Sequence, residues 1–175
     1  MTSRPDNSEF ASSFAGYVAL VPETDVLTVL QDQLTVVFQQ AALVAADRER
    51  YRYGAGKWSI REVFGHLVDA ERVFGYRAFC ISRWESVSLP SFEENDYVKR
   101  SRYDECPLKD LVAELKIVRE GNLHFLRLLD NPAWEHIGTA NNHPISVRAL
   151  SYIMAGHVRH HFKGLHDNYG VPAAR

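Results

Sequence analysis

The chain has 175 residues, of which 46% are hydrophobic and 24% are charged, and its formal net charge is −2. This length and balance are typical of one globular domain with a sizeable core, and they exclude a disordered body. The near-neutral charge provides no basic surplus for nucleic acid or for an anionic membrane surface.

The N-terminal part shows the weakest periodicity of apolar residues. Residues 1–15 are predicted to be a flexible segment in front of one domain at 16–175, and residues 17–22 to be an extended lead-in that packs on that domain. Residues 10–21 are moderately apolar but contain two serines and a glycine, which does not fit a signal peptide. No stretch approaches the ~20 apolar residues that cross a bilayer.

Two helices are predicted in the first half of the domain. The first runs from Asp25 to Ala46, with apolar side chains at three- and four-residue steps and Thr24 as its N-cap. The second begins at a capping box, in which Ser59 and Glu62 each bond to the backbone of the other, and it ends near Trp84.

Two further helices are predicted in the second half. The third follows Pro107, which suits a first-turn position, and Asn131-Pro132 stops it. The fourth is capped by Ser146 and ends at Gly170. No segment of useful length alternates as a strand would.

The predicted fold class is all-α, a four-helix bundle. About twenty residues rich in turn formers separate the second helix from the third. Because extended chain covers ~3.3 Å per residue, this long loop can travel the length of a helix and make neighbouring helices parallel. An up-down-down-up bundle is therefore predicted, although loop lengths alone do not decide between the topologies.

The last helix carries a histidine pair on its apolar face. With ~100° per residue, His161 lies about 40° from His157 at the centre of the stripe, whereas His160 falls on its edge. Two buried imidazoles need partners for their ring nitrogens. Histidines at i and i+4 can present two nitrogens to one tetrahedral ion, and the alternative is a hydrogen-bonded core pair. The spacing does not choose between them.

A third ligand has to come from another helix. On the second helix His66 lies at the margin of the apolar face and shares it with Glu62, Asp69 and Arg77. Asp69 or Glu62 could replace His66 as a ligand, or could serve in a supporting or helix-start role. Arg77 could bind an anionic substrate group or form a structural salt bridge. His143 lies in a loop, and no role is predicted for it.

Several tracts together are recognisable. GKWSIREVFGHLVDAERVFGYRAF (56–79) and AGHVRHH (155–161) resemble the signature segments of the DinB-like family of four-helix bundle proteins. GYVALVPETDVLTVLQDQL (16–34), LPSFEENDYV (89–98) and ISVRALSYI (145–153) resemble one subgroup. The match covers nearly the whole chain after the first dozen residues.

This resemblance implies an up-down-down-up bundle with one divalent metal ion, nickel, zinc or iron among relatives, held by three histidines. The first histidine of the pattern, in the G-H-L tract, is His66, and the H-x-x-x-H pair is His157 and His161. Relatives include S-transferases and isomerases that use a low-molecular-weight thiol, and metal-dependent hydrolases. The family name refers to induction by DNA damage, which concerns regulation and stress response rather than DNA binding.

Three neutral imidazoles leave coordination positions open, as in catalytic sites. The predicted function is therefore a metal-dependent thiol S-transferase or hydrolase acting on a small molecule. The alternative is a non-catalytic metal- or ligand-binding stress protein. Asp69 and Glu62 are the predicted residues to orient a ligand histidine or take a proton, and Arg77 to bind substrate.

The remaining predictions concern partners and compartment. A low-molecular-weight thiol is the expected cosubstrate, neither nucleic acid nor membrane is an expected partner, and a homodimer is left open. Cys80 and Cys106 form neither a disulfide framework nor a C-x-x-C motif. Two unpaired cysteines are typical of proteins in the reducing cytoplasm, so a cytoplasmic location is predicted.

Overall fold

Seven α-helices and one two-stranded sheet make up residues 3–174, the part of the chain that the computed structural model describes. In chain order they are α1 (Ala15–Ala19), α2 (Val26–Ala42), α3 (Ile60–Ser82), α4 (Glu94–Arg100), α5 (Leu108–Arg127), α6 (Asn131–Glu135), β1 (Ile137–Ala140), β2 (His143–Ser146) and α7 (Val147–Tyr169). No helix within residues 3–174 has the length and hydropathy needed to cross a membrane.

The helix boundaries that depend on local chemistry are confirmed. Ser59 Oγ accepts from the Glu62 amide at 3.1 Å, and the Glu62 carboxylate accepts from the Ser59 amide at 2.8 Å, so the capping box starts α3. Ser146 Oγ accepts from the Ala149 amide at 3.0 Å at the start of α7. Gly170 ends α7 in the left-handed conformation at φ 66°, which a glycine adopts without strain.

The predicted bounds of the first helix are wrong at both ends. Asp25 rather than Thr24 is the N-cap, because its carboxylate accepts from both the amide and the hydroxyl of Thr28, at 3.2 and 2.8 Å. The last turn tightens into i→i−3 hydrogen bonds, so the helix ends at Ala42 rather than Ala46.

The sequence predicts no strand of useful length, and the structure adds two strands of four residues to the helical bundle. β1 and β2 form an antiparallel hairpin whose two turn residues, Asn141 and Asn142, have φ values of 51° and 60°. Asparagine tolerates this conformation, and two such residues in succession make the tight turn that joins short strands. The third helix ends at Arg127, before Asn131-Pro132, and these two residues begin α6 instead.

The four long helices have the predicted up-down-down-up arrangement. Contacts between α3 and α5 advance in the same direction, from Arg72 with Glu114 to Phe79 with Phe125, so these helices are parallel. The C-terminal end of α3 packs on β1, just before α7 begins, so α3 and α7 are antiparallel. The connection at 83–107, which contains α4, returns the chain along the bundle and makes the parallel pair possible.

A buried polar network links all four long helices. The Arg119 guanidinium donates to both Glu71 carboxylate oxygens at 2.7 and 2.8 Å, and to Gln33 Oε1 and the Leu30 carbonyl at 3.2 Å. Gln33 in turn donates to the Ala155 carbonyl at 2.8 Å. Since Ala155 lies two residues before His157, the network fixes α7 at the height of the histidines.

Much of the N-terminal segment packs on the bundle. Residues 1–15 are predicted from the sequence to be flexible, and the first two lie outside the described residues. Glu9 is buried and accepts from Arg148 at 2.6 Å and from Ser146 Oγ at 2.7 Å.

The lead-in at 17–22 is predicted from the sequence to be extended. This prediction is wrong for its beginning, which belongs to helix α1. A side chain on Gly156 would approach the Tyr17 carbonyl oxygen to 2.0 Å. The glycine therefore lets α1 lie directly on α7, and this contact places the Tyr17 ring over the histidines.

Candidate metal centre

Three histidines from two antiparallel helices meet inside the bundle. His66 Nε2 on α3 and His161 Nε2 on α7 each lie 3.0 Å from His157 Nε2, although His66 and His157 are 91 residues apart in sequence. The ligand atoms of all three lie within 4.8 Å of one another. His160 is exposed, and its ring lies to one side of the cluster, 5.2 Å from the His161 ring.

Aromatic rings enclose the cluster. The His66 ring lies 6.1 Å from a parallel Phe92 ring and 4.7 Å from Trp58, and the His157 ring lies 5.4 Å from Tyr17. Trp58 and Phe92 come from two connections of the bundle and Tyr17 comes from α1, so segments outside the four long helices complete the surroundings of the histidines.

Burial keeps the three imidazoles neutral. It lowers the pKa of His66 to about 4, and electrostatic repulsion from the His160 ring acts in the same direction. Burial, together with the neighbouring imidazoles, lowers the pKa of His157 and of His161 well below the usual value near 6.5. At neutral pH all three side chains therefore offer lone pairs, which is the state that binds a metal ion.

The donor set fits one divalent cation. A neutral ring carries a single N–H, so three facing Nε2 atoms cannot all be satisfied by hydrogen bonds with one another. The Nδ1 atom of His66 is buried and has no partner among residues 3–174. Two nitrogens bound at 2.0–2.1 Å to one tetrahedral ion lie roughly 3.3 Å apart, which is close to the 3.0 Å between the Nε2 atoms.

The two carboxylates predicted to assist the site are held elsewhere. The Glu62 carboxylate caps α3 and is paired with Arg52, which is the helix-start role left open by the sequence. Asp69 accepts from the Tyr103 hydroxyl at 2.6 Å, and burial raises the pKa of Asp69. Neither lines the cavity described below, and neither bonds to His66.

A cavity of about 430 Å³ opens from the histidine cluster, which is within the range of small-molecule sites. It runs between α3 and α7 from the three histidines to the hairpin turn, and the N-terminal segment closes one side through Phe14 and Tyr17. Arg77, predicted as a substrate-binding residue, lies on this lining, with one guanidinium N–H donated to the Pro90 carbonyl at 2.7 Å.

Sequence reasoning missed three ionisable side chains of the lining, Tyr17, Glu94 and His143. Tyr17 and Glu94 fall in tracts that carry the family resemblance, so a signal was available for them. His143 had none, because it reaches the cavity only through the hairpin.

The depressed pKa values predict a pH-dependent stability of the metal-free protein. An unfolded histidine titrates near 6.5, whereas folded His66 titrates at about 4. The unfolded chain therefore binds more protons in this interval, and the stability that is complete above pH 6.5 is lost as pH falls toward 4. His66 alone contributes a loss on the order of 3 kcal/mol, from about 1.4 kcal/mol per pKa unit.

Denaturant unfolding between pH 7.5 and 5 measures the part of this loss that falls in that interval, roughly 2 kcal/mol for His66. His66→Phe should reduce the dependence by the share of His66, because the pKa values of His157 and His161 are lowered as well, while His160→Phe, at an exposed position, should change it little. A metal-free protein whose free energy of unfolding is constant across this interval would contradict the expectation.

The topology and the site define a class: four-helix bundles of up-down-down-up order with a histidine cluster at the end of an internal cavity. The sequence model of the DinB superfamily matches residues 32–163, well over half of the chain. The protein therefore belongs to the DinB superfamily.

Two solved structures resemble this fold, one over nearly the whole chain and one over part of it. YfiT from Bacillus subtilis, described as a probable metal-dependent hydrolase with an unusual four-helix bundle topology, matches with a TM-score of 0.71 at 14% identity and covers 98% of this chain and 97% of its own. A mycothiol-dependent maleylpyruvate isomerase matches with a TM-score of 0.64 at 12% identity, over 78% of this chain and 57% of its own. At these identities the likeness concerns the fold. No curated protein matches the chain in sequence.

Proposed function

We propose that the protein binds one divalent metal ion through His66, His157 and His161 and acts on a small molecule as a metal-dependent thiol S-transferase. The observation that carries this proposal is the convergence of three neutral histidine Nε2 atoms, two of them on buried side chains, at the end of a cavity of about 430 Å³. Imidazole donors suit zinc, nickel or iron, and the neighbour described as a probable metal-dependent hydrolase agrees with such a centre.

The chain's own residues set the conditions for this chemistry. A bound divalent ion would supply stabilisation of a thiolate, or a lowered pKa for a bound water. Three neutral imidazoles leave the ion its full positive charge, which favours an anionic ligand. The rings of Trp58, Phe92 and Tyr17 make the surroundings of the histidines largely apolar, which strengthens electrostatic interactions there.

Thiol transfer is preferred because a metal-bound thiol loses its proton without a dedicated protein base. The two carboxylates expected to take a proton, Asp69 and Glu62, are engaged by Tyr103 and by the start of α3. A low-molecular-weight thiol is accordingly the proposed cosubstrate. The isomerase that resembles this fold is described as mycothiol-dependent, which is compatible with such a cosubstrate.

Hydrolysis is the second candidate function, and Glu94 is the observation that favours it. This carboxylate lines the cavity close to Tyr17, whose hydroxyl pKa is raised by burial and additionally by the charge of Glu94. Glu94 is thus the carboxylate available to take a proton from water, a role that typically contributes about 10²–10⁴-fold.

Cobalt substitution distinguishes these functions. Cobalt-loaded protein should gain a thiolate-to-metal charge-transfer band with a low-molecular-weight thiol, and Glu94→Gln should leave that band unchanged. The measurement is a titration with cysteine and with glutathione, followed by a screen of thiol transfer to electrophiles. The absence of a band, combined with Glu94-dependent turnover of esters or amides, would replace the transferase by the hydrolase. If neither activity occurs, the protein is a non-catalytic binding protein.

A further inference from the structure

Arg77 is a buried cation that lacks a carboxylate partner. Only 6% of its surface is exposed, and within residues 3–174 no carboxylate lies at ion-pair distance. Its protein acceptor is the Pro90 carbonyl at 2.7 Å. The other buried arginine, Arg119, is paired with Glu71 through both carboxylate oxygens. Burial without a neutralising charge is costly, so an arginine in this state indicates a missing anion.

The unused donors of Arg77 face the cavity. Among residues 3–174, His66 Nδ1 is the sole side-chain polar atom that is fully buried without a hydrogen-bond partner. The Arg77 nitrogens that donate to no protein atom are therefore not sealed in the core, and the side chain lies on the cavity lining. A guanidinium offers five N–H groups in a planar fork, which matches the two oxygens of a carboxylate.

We propose that Arg77 is the anion subsite of this cavity and that the ligand is an elongated monoanion with a carboxylate at one end. Its other end carries the group that reaches the histidine cluster, a thiol or a carbonyl, and this part of the inference rests on the proposed function. One guanidinium neutralises one negative charge of the ligand. A second negative charge on the ligand would be repelled by the Glu94 carboxylate on the same lining. The other ionisable side chains facing the cavity, besides the cluster, are Tyr17, His143 and His160.

The positions of His66 and Arg77 set the length of the ligand. Eleven residues separate them on α3, so they lie within about 20° of one face and roughly 16 Å apart along the axis. Both side chains lean toward the N-terminus, and because the arginine is the longer, its guanidinium lies somewhat closer to His66 than the backbone positions do. The two recognition points are therefore roughly 10–16 Å apart, which suits a chain of several bonds rather than a compact acid.

The competing role for Arg77 is structural, because its bond to the Pro90 carbonyl fixes the connection after α3. The test is a calorimetric titration with ω-mercapto carboxylic acids, from mercaptoacetate to mercaptoundecanoate, and with the methyl ester of each. Zinc-loaded wild-type protein should bind acids of intermediate length about 10–100-fold more tightly than their esters, the range expected for charge-assisted hydrogen bonds. Arg77→Gln should remove this preference and leave ester binding unchanged.

Arg83→Gln is the matched control, since Arg83 lies near the end of the same helix, is exposed and is not on the cavity lining. It should retain the preference for acids. Arg77→Lys keeps the charge and should retain part of the preference, so it tests the subsite even if Arg77→Gln fails to fold by circular dichroism. Equal binding of acid and ester by the wild type, or a preference that survives Arg77→Gln, would overturn the subsite.

Metal-free protein separates this inference from the proposed function. Simple alkanoates, which lack the thiol, should still bind better than their esters through Arg77 when no metal is present. The dependence on chain length should require zinc. If the preference for carboxylate persists without any effect of metal or chain length, the anion subsite stands and the metal-dependent function fails.

Discussion

His157→Ala is expected to abolish the retention of divalent metal, whereas His160→Ala retains it. His157 Nε2 lies 3.0 Å from both other Nε2 atoms, so its loss removes the central one of the three nitrogen ligands. The His160 ring lies outside the cluster and is exposed, although it belongs to the same helix turn. Elemental analysis after dialysis against zinc or nickel measures retention, and His161→Ala should behave as His157→Ala does.

Thermal unfolding gives an independent readout of the same change. An ion that binds the folded chain alone stabilises it by roughly 3–4 kcal/mol at 100–1,000 times its dissociation constant. Zinc should therefore raise the melting temperature of wild-type and His160→Ala protein but not that of His157→Ala. All forms should remain helical without metal, because the apolar core between the helices is extensive. Equal loss of metal in the His157 and His160 variants would contradict the assignment of the cluster.

Arg119→Met is expected to lower the free energy of unfolding by about 3–5 kcal/mol, the typical effect of removing one partner from a buried ion pair. The change leaves the Glu71 carboxylate buried, with its side chain 3% exposed and without its cation. It also removes the donors to Gln33 and to the Leu30 carbonyl, which connect α5 with α2.

The neighbouring pair between Arg72 and Glu114 provides the control. It joins the same two helices, α3 and α5, but both side chains are more than 40% exposed. Exposed pairs contribute about 0–1 kcal/mol, so Arg72→Met should have a small effect in urea unfolding. The double variant Glu71→Leu/Arg119→Met should recover much of the loss, because it leaves no charge unpaired. Equal effects of Arg119→Met and Arg72→Met would show that the buried network does not hold the helices together.

The parts of the fold that follow from local chemistry could be predicted from the sequence. The capping box at Ser59, the cap at Ser146 and the glycine end at Gly170 each depend on a few neighbouring residues, and the structure confirms them. The hairpin depends on Asn141 and Asn142 adopting positive φ, and four-residue strands are too short for alternation to be recognised. α1 depends on Gly156, a contact that periodicity cannot anticipate.

The site divides in the same way. The angular positions of His157 and His161 follow from one helix, and His66 from its helix and the family resemblance, so sequence alone could bring these three residues under consideration. Their role as metal ligands stays a prediction. The helical position of Asp69, on the same margin as His66, gives no indication that its carboxylate accepts a hydrogen bond from Tyr103 in the connection before α5. Side-chain partners supplied by connections between helices are not encoded in the period of any one helix.

The 91 residues between His66 and His157 have a consequence for the order of events during synthesis. At about 5–20 residues per second, a ribosome adds His157 roughly 5–20 s after His66. Throughout this interval His66 has been made, but both of its partners on α7 are still missing. No three-histidine donor set exists on the nascent chain until α7 emerges and docks against α3. A metal ion that uses all three histidines could therefore be bound only after α7 has been made, and a chain that stalls before α7 has no such centre to fill.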